Sequence, residues 1–103
     1  MRLLFDEKDY KALENGDNYV DKFVIVAPSF FKVEYREAKN QLFLAQGGFG
    51  CYPEKLGGKV FGRFYDERSQ IRRENILGVA TEEAIKSWEE TYGMSVDVFS
   101  EVE

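Results

Sequence analysis

Six of the nine glycines in this 103-residue chain fall between residues 47 and 62. Glycine adopts backbone angles that other residues resist, at an entropic cost. Apolar segments lie on both sides of this stretch, so the chain needs a particular backbone path between them. The sequence leaves two interpretations open. The segment Gly47 to Gly62 either shapes a binding surface or only turns a corner in a small β-fold.

The segments around the glycines follow strand patterns. Residues 23 to 27 form a continuous apolar run, which indicates a buried strand. Residues 30 to 46 read as a hairpin whose second strand is 41 to 46. Residues 59 to 65 read as another strand, with 60, 62 and 64 on one face and 61, 63 and 65 on the other, and we expect residues 70 to 73 to pair with it. Short apolar segments predict further strands at 3 to 5, 76 to 80 and, at an edge, 94 to 99.

Capping residues predict two helices. Thr81, two glutamates in the first turn and Gly93 indicate a helix over 82 to 92. Similar signals predict a shorter helix over 7 to 14. The whole chain, 1 to 103, is therefore expected to form one α+β domain. It would be a curled antiparallel sheet of five to six strands, with a short N-terminal helix and a C-terminal helix packed on it.

The composition excludes several kinds of catalysis. The chain has no histidine, which removes Ser-His-Asp and Cys-His catalysis and histidine-containing zinc sites. Cys51 is the only cysteine, so it forms no intramolecular disulfide, and we expect a buried, inert thiol. Asp66, Glu67 and Glu74 lie near arginines, where ion pairing explains them. We predict a protein that is not an enzyme and that uses no metal or cofactor.

The N-terminal sequence indicates a cytoplasmic protein. The first twenty residues contain five carboxylates, which is unlike a signal peptide. Apolar runs are all shorter than a membrane span, so no membrane partner is expected. A lone thiol without a disulfide framework favours a reducing compartment.

Charge is distributed unevenly around a formal net charge of −5. Residues 81 to 103 contain seven acidic residues and one basic residue. An acidic surface of this kind fits a basic groove that normally holds nucleic acid. Solvated helix residues and a frayed tail explain the same pattern. The predicted partner-binding glutamates are Glu82, Glu83, Glu89 and Glu90.

The middle of the chain supports an alternative, nucleic-acid binding. Residues 55 to 73 contain six basic and two acidic residues, interleaved with aromatic ones. Basic side chains contact phosphates, and aromatic side chains stack on bases. The order of residues does not match the RNP1 motif, and a basic hairpin neutralised by acidic helices is the simpler explanation. The candidate nucleic-acid-binding residues are Lys59, Arg63, Arg72 and Arg73.

The glycine segment does not match either nucleotide-binding loop. Gly48 and Gly50 begin a G-x-G-x-x-G pattern, but Pro53 occupies the third glycine position. A Walker A loop ending at Lys59 would need glycine at position 53 and serine or threonine at position 60, where Val60 stands. These glycines are better explained as shaping a connection between strands.

Residues 35 to 80 resemble a small domain of proteins carried by plasmids, phages and conjugative elements of Firmicutes-type bacteria. The Gly-Phe-Gly-Cys-x-Pro run is the most specific part of this resemblance. The matching segments are Tyr35-Arg-Glu-Ala-Lys-Asn-Gln-Leu-Phe, Gly47-Gly-Phe-Gly-Cys-Tyr-Pro, Gly58-Lys-Val-Phe-Gly and Arg73-Glu-Asn-Ile-Leu-Gly-Val-Ala. The resemblance implies no catalytic residues.

The mobile-element setting that this resemblance implies, together with the acidic C-terminal quarter, suggests an inhibitor. Short acidic proteins of such elements resemble anti-CRISPR or antirestriction inhibitors, which bind host defence nucleases. A basic channel of the Cas9 type is a suitable target for acidic residues. We therefore expect a protein that inhibits a host nuclease, with Phe49 and Tyr52 as apolar anchors beside the glutamates. The sequence does not specify the oligomeric state.

Overall fold

The computed structural model describes residues 7–14, 16–27, 39–52, 54 and 57–101. Their strands form one six-stranded sheet, in the order β1-β6-β2-β3-β4-β5, with every pairing antiparallel. The predicted α+β class is therefore confirmed. The strands are β1 (Tyr10–Lys11), β2 (Lys22–Val26), β3 (Leu42–Gly47), β4 (Lys59–Arg63), β5 (Arg68–Arg72) and β6 (Ile76–Ala80).

The main helix, α1 (Glu82–Tyr92), has the predicted bounds. The hydroxyl of Thr81 accepts a hydrogen bond from the backbone N–H of Ala84, at 3.1 Å. Gly93 ends the helix in the left-handed conformation, with φ of 64°. Both caps were predicted because they depend only on residues next to the helix.

The sheet buries side chains on both of its faces. Successive residues of a strand point to opposite faces, so Val24 and Ile25 of β2 enter different cores. The first core contains Tyr19, Val24, Val26, Phe43, Ala45, Cys51, Val60, Phe64, Ile71 and Ile76. The second core lies between the sheet and α1 and contains Ile25, Leu42, Ala80, Ala84, Trp88 and Phe99.

Trp88 holds α1 on the sheet. Its side chain is fully buried, and its indole N–H donates a hydrogen bond to the carbonyl oxygen of Lys39, at 2.9 Å. Its ring centroid lies 6.3 Å from that of Tyr65, 5.7 Å from that of Tyr92 and 5.3 Å from that of Phe99. Trp88 shares the second core with Ile25 of β2, Leu42 of β3 and Ala80 of β6, so α1 lies over this half of the sheet.

The predicted helix over 7 to 14 is wrong in extent. Only Glu7–Asp9 forms a single 3-10 turn, and Tyr10 then enters β1 opposite Ala80. The carbonyl oxygen of Asp9 accepts a hydrogen bond from the N–H of Thr81, at 3.0 Å. An eight-residue helix is marginal by itself, so pairing with β6 prevails.

The predicted edge strand over 94 to 99 is also wrong. The chain instead makes a turn and a short helix, α2 (Val98–Glu101). Phe99 is fully buried, and its ring meets that of Phe23 edge to face at 5.2 Å. Burying a large aromatic side chain contributes more than the strand preference of Val96 and Val98, which are themselves partly buried against the second core.

The other strand predictions are confirmed where the structure describes them. The runs 23 to 27, 59 to 65, 70 to 73 and 76 to 80 correspond to β2, β4, β5 and β6. The second strand of the predicted hairpin 30 to 46 is β3. The predicted strand 3 to 5 and the first strand of that hairpin lie outside the described residues.

Candidate functional site

The β4–β5 hairpin brings basic residues of the middle of the chain onto one face. We call six residues the β4–β5 face: Lys59, Phe61 and Arg63 of β4 with Arg68, Gln70 and Arg72 of β5. They lie directly opposite one another as the pairs Lys59 and Arg72, Phe61 and Gln70, and Arg63 and Arg68. The alternate residues Val60 and Ile71 point into the first core, so the six side chains share the other face.

Two of these three cross-strand pairs join like charges. Like charges directly opposite each other destabilise a sheet. Lys59, Arg68 and Arg72 are exposed, and among the described residues none of the three forms an ion pair. Of the carboxylates in the described part of the chain, Asp66 and Glu67 lie in the β4–β5 turn, and Glu74 shares a small recess with Lys59 and Arg72. The centre of the face is therefore positively charged.

Phe61 lies between the two pairs of basic residues, and its side chain is 50 % exposed. The residue opposite it on β3 is Gly47. A Cβ at Gly48 would fall 2.7 Å from the ring carbon Cδ2 of Phe61, so the edge of the ring packs directly on the Gly48 backbone. The ring is thus held in place by backbone while much of its surface faces solvent.

The described part of the glycine segment packs closely and positions this ring. Phe49–Cys51 forms one 3-10 turn packed against β4. A Cβ at Gly50 would fall 2.8 Å from Cγ2 of Val60, and a Cβ at Gly58 would fall 2.9 Å from Cβ of Phe49. These close approaches require glycine. The segment therefore packs the loop on β4, and through Gly48 it also supports the exposed ring.

The four candidate nucleic-acid-binding residues are not on one surface. Lys59 and Arg72 belong to the exposed part of the β4–β5 face. Arg63 is half-buried, and its Nη1 donates a hydrogen bond to the carbonyl oxygen of Phe99, at 3.4 Å. Arg73 lies outside the face, in a 3-10 turn after β5, and its Nη1 donates to the carbonyl oxygen of Tyr52, at 2.7 Å.

Two residues of the β4–β5 face, Arg68 and Gln70, were absent from that candidate set. The missing information was the register, which pairs position 59 with 72, 61 with 70 and 63 with 68. A turn placed immediately after Arg63 gives this register. Since a shift of one residue exchanges the faces of a strand, composition alone does not distinguish Arg68 from Arg73.

The predicted partner-binding glutamates are all on α1, but they differ in role. Glu82, Glu83 and Glu90 are exposed. Glu89 is half-buried, and its Oε2 accepts a hydrogen bond from the N–H of Val96, at 2.8 Å. Lys86 is three or four residues from each of these exposed glutamates, so it lies on the same side of α1 and reduces the net negative charge there.

The two predicted apolar anchors lie away from those glutamates. Tyr52 is partly buried against the first core, whereas α1 packs in the second core. Phe49 is 69 % exposed and lies beside Gly58, at the glycine end of β4. Phe49 therefore lies near the start of β4, and Tyr52 lies on the first-core side of the sheet, opposite the side on which α1 packs.

Cys51 is fully buried, as predicted. Its Sγ donates a hydrogen bond to the carbonyl oxygen of Gly47, at 3.2 Å. Burial raises the pKa of this thiol, and the negative charge of Asp21 raises it further. A raised pKa keeps the thiol protonated at neutral pH, which is the opposite of what a nucleophilic cysteine needs.

Other possible sites give no comparable arrangement. Among residues 7–14, 16–27, 39–52, 54 and 57–101, no group of three or more His, Cys, Asp or Glu side chains is arranged to hold a metal ion. None of the described helices is long and apolar enough to cross a membrane. A groove between the loop after β1 and the start of α1 is lined by both carboxylates and lysines, so it does not present charge of one sign to a ligand.

Comparisons with models of protein families, with curated proteins and with solved structures find no match to this chain. The resemblance of residues 35 to 80 to a mobile-element domain therefore stays a prediction.

Proposed function

We propose that this protein binds nucleic acid through the β4–β5 face. The observation that carries the proposal is the register of β4 and β5, which places Lys59, Arg63, Arg68 and Arg72 around the exposed ring of Phe61. Two like-charged cross-strand pairs lower the stability of the free sheet. A polyanion bound on this face would remove that repulsion.

The aromatic ring favours nucleic acid over other anions. Phosphates interact with basic side chains irrespective of sequence, and bases stack on exposed aromatic rings. Phe61 supplies such a ring between the two cationic pairs. An isolated anion would use the cations and leave the ring exposed to water.

The acidic net charge of the chain does not oppose local binding. At physiological salt, charges separated by more than about 8 Å are largely screened. The helix α1, which carries the exposed carboxylates, packs on β2, β3 and β6, whereas the cations belong to β4 and β5. The local field of the β4–β5 face therefore determines the encounter with an anion.

The test is fluorescence anisotropy of a labelled oligonucleotide with a triple variant, Lys59→Gln, Arg68→Gln, Arg72→Gln. These three cations are exposed and form no ion pair with a described residue. We expect the variant to lose most of its affinity, because each removed phosphate contact also removes the release of a counterion.

A matched control carries the same change of charge elsewhere: Lys8→Gln, Lys11→Gln, Lys86→Gln, three exposed lysines outside the face. We expect this control to bind nearly as tightly as the original protein. Equal losses in both triple variants would show that only net charge matters and would reject the β4–β5 face as the binding site.

Inhibition of a host nuclease is a second candidate function. It is favoured by the exposure of Glu82, Glu83 and Glu90 on one helix. A pull-down from host cells that carry a type II CRISPR system, with and without nuclease treatment, distinguishes a protein partner from a nucleic acid. Reversal of these three glutamates to lysine is expected to abolish capture of a protein partner. Glu89 is left unchanged because its carboxylate accepts a hydrogen bond from the N–H of Val96, and replacing it would also disturb the fold.

A further inference from the structure

We infer that the β4–β5 face is a single-strand site, in which one unpaired base stacks on Phe61 and Gln70 contacts the edge of that base. The inference rests on the proposed nucleic-acid binding and specifies the form of the ligand. It follows from three features of the face: the support beneath the ring, the residue opposite it and the spacing of the cations.

The first feature is the preorganised ring. Phe61 lies opposite Gly47, which has no side chain, and packs on the backbone of Gly48. Because the backbone already restricts the ring, stacking a base costs little additional side-chain entropy. Stacking on aromatic side chains is tolerant of base identity, since every base has a π-face.

The second feature is the carboxamide directly across from the ring. Gln70 is exposed, and within the described part of the chain its side chain makes no hydrogen bond. A carboxamide offers two N–H donors and a carbonyl acceptor. In this position it can pair with donor and acceptor groups at the edge of a base stacked on Phe61, as glutamine does with adenine.

The third feature is the position of the cations on both sides of this pair. Lys59 and Arg63 are two residues from Phe61 in opposite directions, which is about 7 Å each way at the usual strand rise. Arg72 and Arg68 lie opposite them on β5. The backbone of a strand that crosses the ring therefore meets a cation before and after the stacked base.

A duplex satisfies only part of this arrangement. Its phosphates reach the cations, but its bases are stacked on one another, and no π-face is available to Phe61. An acidic peptide likewise uses the cations and lacks a base. The ring and the carboxamide therefore distinguish a single strand from both of these ligands.

The experiment compares a labelled single-stranded oligonucleotide, a hairpin duplex of the same sequence and a polyglutamate peptide by anisotropy. We expect the original protein to prefer the single strand. We expect Phe61→Leu to weaken single-strand binding about tenfold while leaving duplex binding and the salt dependence unchanged. Phe61→Trp should preserve single-strand binding. Thermal unfolding of each variant confirms that the fold is retained.

The variant Gln70→Met tests the contact with the base edge. Among single-stranded homopolymers, we expect the original protein to show a base preference and Gln70→Met to lose most of it, because stacking alone is tolerant of base identity. An unchanged preference in this variant, or no preference in the original protein, would overturn the role of Gln70.

The failures of the two proposals are distinguishable. Absence of salt-dependent binding to either nucleic acid would reject the proposed function. Equal affinity for single strand and duplex, unaffected by Phe61→Leu, would reject only the single-strand inference. Binding of polyglutamate as tight as that of the single strand would also reject it.

Discussion

β3 and β4 pack too closely at Gly62 for a side chain, so the substitution Gly62→Ala is predicted to destabilise the fold. A Cβ at this position would fall 2.9 Å from Cε2 of Phe43 and closer still to the carbonyl oxygen of Leu44. The Phe43 ring is fully buried, and the Leu44 oxygen belongs to the backbone of β3. Neither atom can move without disturbing the core or the pairing of β3 with β4.

The expected loss follows from these contacts. Overpacking a well-packed core costs about 1–3 kcal/mol, and we expect the upper end of this range because the obstacle includes backbone. Gly47 provides a matched control on the same pair of strands, since a Cβ there meets nothing within 4 Å. There, Gly47→Ala should raise the free energy of unfolding by about 0.4–1 kcal/mol, through the entropy of the unfolded chain.

Urea unfolding measures both variants. The fluorescence of Trp88, which is the only tryptophan, reports the second core, and far-UV circular dichroism reports the sheet. The two variants should differ by about 3–4 kcal/mol, or roughly 12–32 °C in melting temperature for a domain of this size. Equal free energies of unfolding for Gly62→Ala and Gly47→Ala would refute the packing argument at β3 and β4.

Three further predictions concern single groups. Thr81→Ala should lower the free energy of unfolding by about 1 kcal/mol, measured with urea, whereas Thr81→Ser should keep the cap. Glu89→Ala should lower the free energy of unfolding by about 1.5–3 kcal/mol, because the Glu89 carboxylate accepts a hydrogen bond from the N–H of Val96. The exposed neighbour Glu90 is the control, and Glu90→Ala should leave the free energy of unfolding almost unchanged. Equal losses in the two variants would contradict the role of this hydrogen bond. Because the pKa of Cys51 is raised in the folded protein, the contribution of this thiol to the free energy of unfolding is fully present at pH 7. This contribution should decline from about pH 8.5 upward, where the thiol ionises in the unfolded chain. Cys51→Ala should flatten that alkaline decline in urea titrations, and a slope identical to that of the original protein would exclude the thiol as its cause.

The parts of the fold that local signals determine were predictable. The caps at Thr81 and Gly93 lie next to α1, and its bounds were predicted without error. The period-two spacing along β4 likewise grouped Val60 with Phe64 and Phe61 with Arg63, and the structure buries the first pair together in the first core. These signals need no knowledge of what the element packs against.

The errors arise where distant residues decide the structure. Tyr10 is in a strand because β6 is beside it, and Phe99 is in a short helix because its ring completes the cluster around Trp88. The candidate site shows the same limit. The sequence identified a basic, aromatic hairpin, but the register alone placed Arg68 and Gln70 on the face and left Arg73 outside it.

The salt dependence of single-strand binding tests the β4–β5 face most directly. The logarithm of the affinity falls with the logarithm of salt concentration by about 0.7 for each phosphate neutralised. The triple variant Lys59→Gln, Arg68→Gln, Arg72→Gln should therefore reduce this slope by roughly 2, and the control at Lys8, Lys11 and Lys86 should leave it unchanged. A slope that is the same in both variants, and equal to that of the original protein, would contradict the assignment of the β4–β5 face.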